Sequence, residues 1–183
     1  MRIIAGKNKS RKLLTLDGLD TRPMTDRMKE SLFNTIGPYF DGDIVLDLFG
    51  GSGALSLEAL SRGCKFSYIV EKSYQAINII RKNVTDLKEL DNTLLLNMDY
   101  KQALNKFVND KIKFDIVFLD PPYKLNIMKD LVDFLLSNDL INDHGIIACQ
   151  YVSGNYEPVE NRLKVVKNNN YGISELCIYQ YLK

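Results

Sequence analysis

From residue 44 onward, short apolar runs alternate with longer stretches whose apolar positions recur every three or four residues. The runs over 44–48, 66–70, 93–98 and 114–119 read as buried strands. Helical spacing fills the intervals at 53–62, 73–90 and 100–108; the second puts Ala76, Ile77, Ile80, Val84 and Leu87 on one face. A helix over 127–137 leads to a strand over 145–151. Then the alternation breaks: strand patterns over 162–166 and 175–182 are separated only by the turn-rich stretch 168–172, a hairpin signal. Upstream, Thr25 caps a helix carrying Met28, Leu32, Phe33 and Ile36, stopped by Gly37-Pro38. Residues 2–5 and 12–16 are strand-like around a turn at 6–10.

Repeated strand–helix units predict an α/β fold, a doubly wound, mostly parallel seven-stranded sheet with an antiparallel C-terminal hairpin. A short N-terminal β arm (1–24) and a helix (25–37) precede a doubly wound core (44–183). The 183 residues, 45% apolar, suffice for one domain with a sizeable core. Without coiled-coil heptads or a swapped arm, a monomer is expected.

Net charge is +1, but residues 1–29 hold eight Lys/Arg against three Asp. A basic arm on a mildly acidic body suits a polyanion, or serves as a solubilising tail. Cys64, Cys149 and Cys177 lack CxxC spacing and read as buried, reduced thiols. No signal-peptide h-region or membrane span is evident, so a cytoplasmic location is expected. The single His144 argues against histidine nucleophilic catalysis, and no metal site is expected.

Two strand ends carry candidate chemistry. After the strand at 44–48 comes Asp47-Leu-Phe-Gly-Gly-Ser-Gly53, whose backbone N–H groups and following helix can cradle an anionic group. A dinucleotide fingerprint starting at Gly51 fails at its third glycine, since position 56 is Ser, and no Walker-type lysine follows. Glu71 ends the second strand, about twenty residues on, where a carboxylate can accept both ribose hydroxyls. Asp99, ahead of a helix, reads as a ligand of the same group or as an N-cap. Asp47 reads as a loop-orienting acceptor or a turn former.

The other strand end is Asp120-Pro121-Pro122-Tyr123. Each proline fixes its φ and removes an N–H, leaving the carboxylate and a carbonyl as a stiff acceptor pair. Such a pair suits an exocyclic amine on a planar base, with Tyr123 offering a stacking face.

Asp47–Gly53 together with Asp120–Tyr123 resembles the class I S-adenosylmethionine-dependent methyltransferases that act on exocyclic amines of nucleic-acid bases. The segments Arg2-Ile-Ile-Ala-Gly6, Arg11-Lys-Leu13, Thr21-Arg-Pro-Met-Thr-Asp-Arg27 and Glu30-Ser-Leu-Phe-Asn34 are similar to the RsmD family, which methylates guanine N2 in small-subunit (16S) ribosomal RNA. The resemblance implies a Rossmann-like class I fold. It implies that Phe49, Gly50, Gly51, Ser52 and Gly53 wrap the methionine part of the cofactor, with Glu71 on the ribose and Asp99 and Tyr100 near the adenine. Many relatives carry alanine where this chain has Gly50, and the extra glycine is expected to be harmless, since both are small. Asp120 and the Pro121 carbonyl would hold the amine. Arg2, Arg11, Lys12, Arg22 and Arg27 would contact RNA phosphates, although Arg22 and Arg27 could instead pair with acids of the protein. The partner implied is the small ribosomal subunit or its 16S RNA.

Competing readings are an adenine-N6 methyltransferase on RNA or DNA, an NAD-dependent oxidoreductase, and a non-catalytic RNA-binding module.

Overall fold

The computed structural model describes residues 1–16, 24–154 and 161–183. Arg22, one of the candidate RNA contacts, lies outside them. Seven strands form one sheet among the described residues: β1 (Ile44–Asp47), β2 (Phe66–Val70), β3 (Thr93–Leu96), β4 (Phe114–Leu119), β5 (Ile141–Val152), β6 (Leu163–Asn170) and β7 (Ser174–Tyr181). Their order is β3-β2-β1-β4-β5-β7-β6. The first five in that order run parallel, and β7 lies antiparallel between β5 and β6. The predicted class is therefore the observed one.

Helices α1 (Asp26–Ile36), α2 (Ala54–Ser61) and α3 (Tyr74–Asp86) cover one face, where Leu32, Phe33, Leu57 and Ile80 meet Val45 and Phe118 of the sheet. On the other face, α4 (Tyr100–Asn109) and α5 (Met128–Ser137) bring Phe107 and Leu135 against Leu46 and Val117. Adjacent residues of one strand thus feed opposite cores, as expected for a buried parallel strand. The sheet order reverses between β1 and β4, so their C-terminal ends flank the switch point where α/β sheets bind ligands.

Several boundaries differ from the sequence pattern, each for a local reason. The helix predicted over 73–90 ends at Asp86 because Lys88 takes a left-handed conformation (φ 60°). The reversal carries Glu89 inward, where its carboxylate accepts from Lys7 Nζ, Asn8 Nδ2 and Asn92 Nδ2. Strand β3 stops at Leu96 rather than 98, since Asn97 turns to donate its amide to the Glu71 and Lys72 carbonyls. In the final hairpin, the polar run expected to form the turn extends β6 to Asn170. Being at the sheet edge, it needs no apolar face; Asn169 donates to Ser31 Oγ and Asn170 to Ser153 Oγ.

The N-terminal segment is not a free arm. A single antiparallel bridge, Arg2 to Lys12, replaces the two expected strands, and the loop is clamped to α2. Ile4 and Ala5 donate their N–H groups to the Glu58 carboxylate at 2.8 and 3.0 Å. Gly6, at φ +83°, lies so close to α2 that an added Cβ would sit 1.8 Å from the Ser61 carbonyl oxygen.

Candidate active site

Asp47 ends β1 and pairs in register with Phe118 of β4, two residues before Asp120. The glycine loop and the Asp120–Tyr123 turn therefore leave neighbouring strands at the same rim. Asp47 is 2% exposed, and its Oδ2 accepts from Ser56 Oγ at 3.1 Å. Burial pushes its carboxyl up to about 6, with the Ser56 bond partly offsetting the effect and the Glu71 charge adding to it. Asp120 keeps intermediate exposure as a residue, but its carboxyl is enclosed by protein. Burial, reinforced by the Asp47 charge, pushes that carboxyl up to about 7. The two candidate loops are thus close enough to interact electrostatically.

The glycine loop is held at both ends. Gly50 N–H donates to the Val70 carbonyl at 2.9 Å, and Gly53 N–H closes back onto the Gly50 carbonyl at 2.6 Å. Gly51 (φ +56°) and Gly53 (φ +78°) adopt the left-handed region; a Cβ built on Gly51 meets nothing within 4 Å. Gly50 has no such room. Its Cβ would fall 2.5 Å from Ile69 Cγ2 and 3.0 Å from Ile80 Cδ1, so isoleucine side chains occupy that space in this chain.

Glu71 is brought to the loop itself. Its two oxygens accept from Gly51 N–H at 3.0 Å and Ser73 N–H at 2.7 Å. Each oxygen keeps a further lone pair for a ligand hydroxyl. Asp99 caps α4 through Lys101 N–H at 3.0 Å and pairs with Lys72 at 3.3 Å; the backbone bond chiefly holds its carboxyl below the usual range. Tyr100, the next residue, lies 5.5 Å from the Phe49 ring, so these two aromatics form one wall.

Sequence reasoning missed three side-chain amides. Asn83, buried on α3, donates to the Ser52 and Leu14 carbonyls and accepts from Leu14 N–H, tying the N-terminal segment to the glycine loop. Asn97 ties the ends of β2 and β3. Gln150 on β5 donates to the Tyr123 hydroxyl at 2.9 Å. Amides carry no pattern that separates a buried cross-brace from a solvated surface residue.

Among the basic candidates, Arg2 pairs with Asp26 at 3.4 Å and Arg11 donates to the Asp86 carbonyl. Lys12 is exposed. Arg27, also exposed, lines a shallow hollow with Glu30, Ser31, Asn34, Thr35 and Lys167. Tyr179 and Tyr181 are buried in the hairpin, while Tyr171 packs partly buried beside Asn169. Cys64, Cys149 and Cys177 are buried and free. Among the described residues no helix is long and apolar enough to cross a membrane, and no three His, Cys, Asp or Glu side chains gather as metal ligands.

The family model described as conserved hypothetical protein 95 matches residues 1–180. The putative rRNA methyltransferase YlbH of Bacillus subtilis is 36% identical over 181 residues, covering 98% of each chain. Ribosomal RNA small subunit methyltransferase D of Haemophilus influenzae is 33% identical, covering 98% of this chain and 93% of its own. The solved structure of the putative methyltransferase yhhF from Escherichia coli superposes with a TM-score of 0.85 at 29% identity, covering 100% of this chain and 98% of that one. On this evidence the chain belongs to the RsmD family of S-adenosylmethionine-dependent methyltransferases.

Proposed function

We propose that this chain, as one methyltransferase domain over residues 1–183, methylates the exocyclic N2 of a guanine in 16S ribosomal RNA. One observation carries the reading: the turn at Asp120 and the glycine loop at Asp47 leave adjacent strands, and their carboxylates repel each other. The relatives named ribosomal RNA small subunit methyltransferase D support the RNA substrate.

The loop fits the cofactor on its own terms. Gly51 leaves open space above the main chain, Glu71 keeps free lone pairs, and Phe49 with Tyr100 offers an aromatic wall. Phe49 through Gly53 would hold its methionine part, Glu71 its ribose, and Asp99 with Tyr100 its adenine end. When bound, S-adenosylmethionine supplies an electrophilic methyl carbon on a sulfonium. The Asp120 carboxylate and Pro121 carbonyl accept the two N–H groups of the amine, orienting its lone pair. Tyr123 stacks on the ring, and Asp120 is placed to take the released proton. Catalysis of this kind rests on positioning and electrostatics. Arg2, Arg11, Lys12, Arg22 and Arg27 would neutralise phosphates. The Arg2–Asp26 pair does not oppose this role, because exposed ion pairs are weak and exchangeable.

The direct test supplies small subunits from cells lacking this protein with labelled S-adenosylmethionine and identifies the methylated nucleoside by mass spectrometry. N2-methylguanosine is expected; N6-methyladenosine would replace the reading with the adenine alternative. Glu71→Ala is expected to weaken S-adenosylmethionine binding roughly 10–100-fold by calorimetry, since it removes both the ribose acceptor and the Gly51 anchor. An unchanged dissociation constant would take Glu71 out of the cofactor site.

A further inference from the structure

We propose that Gln150 is a specificity-determining residue, whose side-chain carbonyl accepts the ring N1–H of the target guanine next to the amine held by Asp120. This rests on the guanine-N2 reading. Cys149 pairs in register with Leu119, the last residue of β4, so Gln150 stands at the level where the Asp120 turn begins. It shares a narrow cleft with Pro121, Pro122, Tyr123, Asn126 and Tyr151. The residue is 2% exposed, and the two ends of its carboxamide are treated differently. Nε2 donates to the Tyr123 hydroxyl at 2.9 Å, whereas Oε1 is buried without a hydrogen-bond partner among the described residues.

A buried, unpartnered carbonyl is destabilising and calls for an explanation. Here it belongs to a side chain that lines the cleft beside the Asp120 turn, together with Pro121, Pro122 and Tyr123. What is missing is a donor. Guanine presents its N2 amine and N1–H side by side, two donor groups in one plane. Adenine presents an amine beside a bare N1 lone pair. Acceptors at Asp120, Pro121 and Gln150 therefore match guanine, while adenine would oppose lone pair to lone pair. The discrimination needs no charge, and the orphaned acceptor in the free protein is the counterpart of a bond made only with substrate.

The test uses the full-length protein and a fragment of the substrate RNA carrying, at the methylated position, either guanine or 2-aminopurine. The latter keeps the amine but has no N1 hydrogen. Wild-type protein is expected to favour guanine in kcat/KM by on the order of 10–100-fold. Gln150→Leu should lower guanine kcat/KM by a similar factor and leave 2-aminopurine within about threefold, collapsing the ratio. S-adenosylmethionine binding should be unchanged. Removing an orphaned acceptor should preserve the fold, and Gln150→Glu, which retains an acceptor, should retain the preference and serves if the leucine variant is unstable. A Gln150→Leu protein that slows both substrates equally and keeps the wild-type ratio, or a Gln150→Glu protein that loses the guanine preference, overturns the assignment while leaving the guanine reading intact. A wild-type product other than N2-methylguanosine overturns both.

Discussion

Asp120→Asn should yield a protein that is more stable than wild type at pH 8 and much poorer as a methyltransferase. Burial has raised the Asp120 carboxyl to about 7 from an ordinary 3.8. A carboxyl held up in the folded state binds its proton more tightly there than in the unfolded chain. Its contribution to stability is therefore best at low pH and is lost as pH rises from about 4 to about 7. At about 1.4 kcal/mol per unit, the ionised group opposes folding by roughly 2–4 kcal/mol above pH 7 once solvent screening is allowed for. Asparagine removes that charge, and its advantage should narrow by about 2 kcal/mol between pH 8 and pH 5. Activity moves the other way. The amine needs an acceptor, so wild-type kcat/KM should climb through an apparent pKa near 7 as Asp120 ionises. Asp120→Ala should lose on the order of 100–1,000-fold in kcat with cofactor affinity changed only a few-fold. Destabilising charge at a working group is the usual signature of function bought with stability. Denaturant melts at the two pH values, with a pH–rate profile, check both halves. An asparagine variant no more stable than wild type at pH 8 would mean that Asp120 carries no such strain.

How far the sequence discloses this molecule depends on how the information is encoded. Strand ends are legible, because a run such as Phe114–Leu119 can only be buried on both faces, and an acid or glycine after it must lie at the rim. Helix starts at Thr25 and Ser73 are legible through their hydroxyls, which accept from Met28 and Ala76 N–H as caps do. The convergence of Asp47, Gly51, Glu71 and Asp120 follows from those strand ends and the parallel order. Their chemical roles do not follow; they come from the resemblance and await the tests above. Tertiary demands hid the rest. Lys88 has no left-handed preference, yet it turns so that Glu89 can receive Lys7 and Asn8. The asparagines of β6 look like a turn until an edge strand accepts them. Gln150 looks solvated in a strand that is buried on both sides.

Glu58 belongs to the same hidden class and carries the largest expected effect on stability. Helix α2 is buried along its whole length, so its one carboxylate has no route to water. Apolar residues on nearly every side of that helix were the available signal. Glu58 Oε1 accepts from Ala5 N–H and from Arg62 Nε at 2.7 Å; Oε2 accepts from Ile4 N–H and faces Lys29 Nζ at 3.3 Å. Lys29 and Arg62 are almost fully buried too, and burial lowers the Lys29 pKa despite the attraction of Glu58. One carboxylate thus holds two cations and the start of the chain. Glu58→Ala would strand both cations and two N–H groups, which places the loss at about 3–5 kcal/mol. For a chain of this size that is roughly 10 °C or more in Tm. Hydrogen exchange should show Ile4 and Ala5 losing protection first, since their N–H groups lose their only acceptor. Combining Glu58→Met with Lys29→Met should recover only part of the stability, because the apolar pair avoids desolvation of two ions but leaves Arg62 buried without its carboxylate. The N-terminal amides should remain unprotected in that double variant. RNA affinity should fall with them if docking of Arg2, Arg11 and Lys12 is what α2 provides. Full protection of Ile4 and Ala5 in Glu58→Ala would show that the N-terminal loop is held by the Ser61 and Asn83 contacts instead.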